Sequence, residues 1–198
     1  MVTKSTVERT CTADSASYNI HEHRHRFAAW AASRAASVKG CRFSAEQGKA
    51  ILERAGQRAL IDDPDRLPDP TALCIDLRHN EWRAEVIRVA QREFHLPFTH
   101  GVAAKLINMY LKAAFVCGGF DDHERVCQLH PPVDGLLLDS LHTSAAGGAI
   151  TAAVWETMRH KRWSKFNAED YQSVIDAIRA VVGPAPLWAI EEHWRGFQ

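Results

Sequence analysis

Thr99-His100-Gly101-Val102-Ala103-Ala104-Lys105-Leu106-Ile107-Asn108-Met109-Tyr110-Leu111-Lys112 reads as the first part of a helix that begins near Gly101 and closes at Gly118-Gly119. Leu106, Ile107, Tyr110, Leu111, Ala114 and Phe115 recur at the spacing of one helical face and make an apolar stripe. Lys105, Asn108 and Lys112 lie off that stripe. At ~100° per residue, positions 105 and 112 are nearly eclipsed on the opposite face. A turn containing a glycine precedes the helix, and the free N–H groups and dipole of such a helix start suit a phosphate. His100, Gly101 and Val102 are therefore candidate contacts to a phosphate. Lys105 sits in the first turn, where the positive helix end favours a neutral, nucleophilic amine.

The same helical period extends in both directions. A helix is expected over 20–39, with Phe27, Ala31, Ala35 and Val38 on its inner side and Gly40 as its stop. Its alanines at 28, 29, 31, 32, 35 and 36 would let another backbone approach closely. Ser44 and Gln47 form a capping-box pattern ahead of Ile51, Leu52, Ala55 and Ala59. Residues 61–72, with three prolines and four aspartates, read as a loop. A helix over 77–95 would bury Trp82, Val86, Val89, Ala90 and Phe94. After His130-Pro131-Pro132-Val133-Asp134 come a short Leu-rich helix, a helix near 150–160, one over 167–182 capped by Asn167, and a last short one from Leu187 to Trp194. No stretch alternates like a strand. The expectation is an all-α bundle of about eight helices in one domain over 18–198, after a loose segment over 1–17. One lobe would comprise 70–145, and residues 18–60 with 150–198 would form the other wall of a cleft.

With 46% of its 198 residues hydrophobic and 24% charged, the chain can build a core without staples. Five cysteines without CxxC or four-cysteine spacing exclude a disulfide framework, a zinc knuckle and an iron–sulfur cluster from the expected functions. No apolar leader or membrane-length segment is legible, so the expected location is the cytoplasm, with neither membrane nor obligate protein partner. The net charge is zero but unevenly spread: residues 1–60 carry ten Lys/Arg against five Asp/Glu, and residues 120–140 carry one against five. P-loop, dinucleotide and Gly-x-Ser-x-Gly motifs are missing, which excludes the corresponding NTPase, Rossmann and hydrolase functions.

Two motifs together carry a resemblance. Gly101-Val102 followed by Lys105, and Val133-Asp134 at the start of a later helix, resemble the lysine-bearing hairpin and the catalytic aspartate of the helix-hairpin-helix DNA glycosylase superfamily. His100 and Ala103 stand where that family has a proline and a second glycine. The 29-residue step from Lys105 to Asp134 looks closest to the archaeal 8-oxoguanine glycosylase branch. The resemblance covers roughly residues 98–142. It implies a helix-hairpin-helix element, and attack by Lys105 on the sugar of a flipped-out, damaged or modified base, in repair or anti-phage defence. It further implies that Asp134 stabilises the charge developing on that sugar. Lys112 is the reserve nucleophile, and Asn108, His130, Trp30, Phe98 and Arg34 complete the expected substrate contacts, with Phe120 another possible stacking residue. No cofactor and no metal is expected. Two other classes remain open at this point: a non-catalytic helical binding or regulatory module, and a metal-dependent nuclease built on His21-Glu22-His23-Arg24-His25, where His21 and His25 share a helix face.

Overall fold

The computed structural model describes residues 18–196, so the expectation for residues 1–17 lies outside the described residues. Among the described residues eight α-helices follow one another: α1 Ile20–Ala36, α2 Ala45–Arg54, α3 Ala72–Phe94, α4 His100–Leu111, α5 Glu124–Cys127, α6 Gly135–Thr143, α7 Ala152–Lys161 and α8 Ala168–Val182. A π-helical stretch, Lys112–Phe120, prolongs α4, and 3₁₀ turns include Trp163–Lys165 and Leu187–His193. No β-sheet occurs among the described residues, where the one bridge joins Val38 and Cys41. The chain is all-α. No single helix among these residues is long and apolar enough to cross a membrane.

The helix starts follow local chemistry. Ser44 and Gln47 form a complete capping box on α2, and Asn167 with Asp170 does the same on α8. Thr71 caps α3 five to six residues earlier than the apolar pattern alone implies, because its hydroxyl accepts the Cys74 N–H. The helix opened by the Thr99–Lys112 stretch ends at Gly119, whose φ of 86° breaks it. Its last nine residues adopt the wider π turn.

α1 turns a different face inward from the one expected. Ala28, Ala29, Ala32 and Ala36 are fully buried, while Phe27 and Trp30 remain more than half exposed. The reason is proximity. α1 lies directly on α4, and only a methyl-sized face lets the two backbones come together, so the bulky residues are left outside. His25 belongs to the inward face, where its ring meets the Tyr110 hydroxyl at 2.7 Å and Glu53 at 2.9 Å.

Two apolar cores result, and their membership differs from the expected lobes. The first joins α1 to α5, from Ala28 to Leu129. The second joins Ala104 and Val133 to α6, α7, α8 and the final 3₁₀ turn. Residues 18–60 thus pack with α3 and α4 rather than with the C-terminal helices, because the alanine face of α1 finds its partner on α4. Leu137, Leu138 and Leu141 of α6 instead share a core with Trp155, Tyr171 and Val174. α4 belongs to both cores and is buried almost all round. Its off-stripe residues face a polar seam between the cores, not bulk water.

Gly101 fixes how closely the second core approaches α4. A Cβ there would sit 1.8 Å from the Trp163 carbonyl oxygen, a backbone atom that cannot swing aside. Gly101→Ala is expected to destabilise the protein by about 2 kcal/mol or more, at the upper end of typical overpacking costs. Urea denaturation would reveal it as a lowered midpoint, and an unchanged midpoint would show that the 163–166 turn yields freely.

Candidate active site at the seam between the cores

α4 delivers Lys105 and the His130–Asp134 segment delivers Asp134, and the two side chains meet. Lys105 Nζ donates to Asp134 Oδ2 at 3.0 Å. The residue Lys105 is 5% exposed, although its ammonium end reaches the wall of a cavity. That cavity, about 330 Å³, is lined by Ala35, Lys105, Met109, Lys112, Pro132, Asp134, Glu191 and Trp194. The Trp163 ring lies 5.9 Å from Lys105 Nζ. Asp134 is held from three sides: its Oδ1 accepts the Leu137 N–H at 2.9 Å and so caps α6, and its Oδ2 also accepts the Trp194 indole N–H at 3.1 Å. A carboxylate fixed in this way needs no reorganisation when charge changes beside it.

Burial pushes the Lys105 amine below the ordinary lysine range, with the adjacent Asp134 carboxylate working in the opposite direction. Across the cavity Lys112 and Glu191 form an ion pair. Burial raises the Glu191 carboxyl against the pull of Lys112 and Lys105. Its Oε1 is buried with no hydrogen-bond partner. Glu191 and Trp194 escape a reading of the sequence because they come from a short turn after Pro184 and Pro186, and no periodicity registers that turn against α4.

The other expected contacts lie elsewhere. Val102 is buried in the first core, and Phe98 packs there against Phe43 with ring centroids 5.1 Å apart, so it cannot stack on a base. Trp30 and Arg34 are exposed on α1, and half-buried Phe120 lies beneath the Arg24 guanidinium. His100 is engaged by Arg83 at 3.3 Å. The turn before α4 is not an open anion site. The Gly101 N–H donates to the Phe166 carbonyl, and the Val102 N–H donates to the Thr99 hydroxyl.

Asn108 and His130 belong to a buried network behind the cavity. Asn108 Nδ2 donates to the Pro131 carbonyl at 2.8 Å and to the Tyr171 hydroxyl at 2.9 Å. His79 Nε2 donates to Asn108 Oδ1 at 2.6 Å, which leaves its Nδ1 to accept from Arg83 at 2.6 Å. His130 meets Tyr171 through Nδ1 and Asp76 through Nε2, the latter at 2.8 Å. Arg179 grips the same Asp76 through both Nη1 and Nη2. Burial opposes charge on Asp76, but the His130 and Arg179 donors hold its carboxyl far below the usual range. The bonds that the two histidines make to Asn108, Arg83, Tyr171 and Asp76 are satisfied with neutral rings.

This network makes stability pH-dependent. Burial lowers the pKa of His79 and His130 below the ordinary 6.5, and that of His25 likewise. Between the folded value and 6.5 the unfolded chain binds more protons, so stability is complete above that window and declines as pH falls through it. Each such histidine contributes a slope of about 1.4 kcal/mol per pH unit while it alone titrates. The thermal midpoint should therefore drop steadily from about pH 7 to about pH 5. A flat midpoint over that range would show that the rings tolerate charge.

The His21–His25 pair does not converge on a metal. His25 points inward, whereas exposed His21 faces Asp62 at 4.0 Å. No cluster of three or more His, Cys, Asp or Glu able to hold a metal ion occurs among the described residues. A larger depression of about 610 Å³ lies between the 60–69 loop and α3, but its Arg66, Arg78 and Arg125 are taken by Asp62, Glu81 and Asp69. No family model, curated protein or solved structure matches this chain.

Proposed function

We propose that this protein is a DNA glycosylase that excises a damaged or modified base through Lys105 and Asp134. One observation carries the reading: an amine and a carboxylate 29 residues apart in sequence meet at 3.0 Å in the wall of a cavity of about 330 Å³. A buried amine whose pKa is lowered, with a carboxylate fixed beside it, is the arrangement of an activated lysine nucleophile. The cavity lies near the lower end of the ~300–1,000 Å³ range of small-molecule sites, a size for one flipped base rather than a bulky ligand.

In the proposed reaction Lys105 first gives a proton to water, so that Asp134 stays ionised. Its lone pair then attacks the sugar C1′ as the glycosidic bond breaks. The bonding electrons leave with the base, which takes a proton from water as it departs. Asp134 stabilises the positive charge that develops on the sugar. Ring opening of the lysine adduct would give a Schiff base and permit strand cleavage. Across the cavity, the Lys112–Glu191 ion pair supplies polar groups for the edge of the base.

The test is a panel of duplexes, each carrying one oxidised, deaminated or alkylated base, together with DNA from phages with hypermodified bases. Release of at least one base, leaving alkali-labile sites, is the expected result. No release from any substrate would overturn the reading. The second reading, a non-catalytic helical module, draws on Asp134 Oδ1 capping α6. It requires that Asp134→Asn change stability alone.

A further inference from the structure

The chain is neutral overall, yet two of its segments contain no carboxylate. Residues 23–45 carry five Lys/Arg and residues 157–168 carry four, so nine of the 24 cations and none of the 24 Asp/Glu lie there. The fold brings these segments together. The Val38–Cys41 turn and the 164–165 turn face one another across a groove of about 390 Å³, floored by Pro97 and Thr99. Lys39 and Lys165 stand on its opposite walls, and Thr99 Oγ1 ties the floor to the Ser164 carbonyl at 3.0 Å. Exposed Arg34 and Arg42 line an adjoining shallow depression, and exposed Arg162 flanks Lys165. None of these five side chains makes an ion pair or hydrogen bond among the described residues, unlike neighbouring Arg159 and Lys161, which are paired.

The groove adjoins the cavity on both walls. Ala35, near the end of α1 and four residues before Lys39, lines the cavity, and Trp163, next to Ser164, lies under Lys105. Because protein groups consume the Gly101 and Val102 amides, phosphate charge near this hairpin has to be met by side chains. We infer that the groove between the Val38–Cys41 and Trp163–Lys165 turns is the track for the phosphodiester backbone of duplex DNA, with Lys39, Arg42, Arg162 and Lys165 as its phosphate contacts. This assignment deepens the glycosylase reading and rests on it for the role of the adjacent cavity. Fifteen basic against 24 acidic residues remain elsewhere, so the rest of the chain repels the polyanion and helps to orient it on this face.

The test is fluorescence anisotropy with a labelled duplex bearing a tetrahydrofuran abasic analogue, titrated at several salt concentrations. Each phosphate contact contributes about −0.9 to the slope of log K against log salt. Lys39→Glu/Lys165→Glu is expected to weaken binding at low salt by at least about tenfold and to flatten the slope by about two. The milder Lys39→Gln/Lys165→Gln should flatten it similarly, and Arg78→Gln, at the depression beside the 60–69 loop that shares no lining residue with the groove, should leave it unchanged. Both lysines are exposed, so circular dichroism should show an unaltered fold. Unchanged slopes in both double variants, no duplex binding by the unaltered protein, or tighter binding to an RNA duplex of the same sequence would overturn the assignment. The assay needs no excision, so the two readings can fail separately. Binding lost in the variants without excision by the unaltered protein would remove the glycosylase and keep the groove. Excision with unchanged slopes would do the reverse.

Discussion

Lys105→Ala is expected to abolish base excision, and Asp134→Asn to lower it by on the order of 10²–10⁴-fold, the range of a positioned acid–base or charge-stabilising group. Neither change should unfold the protein. Asparagine is as good an N-cap as aspartate, so Asp134→Asn retains the bond from Leu137 that starts α6. In Lys105→Ala the Asp134 oxygens keep the Trp194 and Leu137 donors. DNA affinity should survive in both, because the phosphate groove uses neither residue. The pH profile gives an independent sign. The attacking amine must be neutral, so the rate should rise with pH toward a plateau set by Lys105, whose pKa burial lowers and Asp134 partly restores. Removing that negative charge in Asp134→Asn should move the midpoint of the rise further toward acid. A profile that does not move, or moves to alkali, would separate Asp134 from the lysine. Excision lost only in Lys112→Ala would identify the other cavity lysine as the nucleophile.

Asn108→Ala is expected to cost at least about 3 kcal/mol of stability. The substitution strands the Pro131 carbonyl and the His79 N–H, at about 1–3 kcal/mol for each unsatisfied group, and takes from the Tyr171 hydroxyl one of its two bonds, the other being to His130. Asn108→Leu, which fills the space but restores no hydrogen bond, should recover little of it. The consequence for the site is positional. One turn apart on α4, Lys105 and Asn108 hold the 131–134 segment at two points, so loosening Asn108 frees the strand that presents Asp134. Urea denaturation of Asn108→Ala, Asn108→Leu and the parent protein measures the effect, and a loss below about 1 kcal/mol would mean that water replaces the amide.

The helices were legible because their signals are local. Ser44 with Gln47, Asn167 ahead of its apolar run, and Gly118-Gly119 each mark a boundary through bonds to neighbours a few residues away. The pairing of Lys105 with Asp134 was also within reach, since both lie beside helix starts of a recognisable kind. What failed depended on packing between elements. Phe27 looked like core and Ala28 like filler, until close contact with α4 reversed the two. Asn108 looked like a substrate contact because polar residues on a helix face commonly meet solvent, whereas α4 is covered on both sides. The glycine turn looked open, and only the crossing of the 163–166 turn over Gly101 shows where its N–H goes.

Borohydride trapping tests most directly whether Lys105 is the attacking group. The protein would be incubated with DNA it acts on, reduced, digested, and mapped by mass spectrometry. A covalent sugar adduct on Lys105, formed also by Lys112→Ala and missing from Lys105→Ala, is the predicted result. An adduct on any other residue, or excision with no adduct trapped, would contradict it.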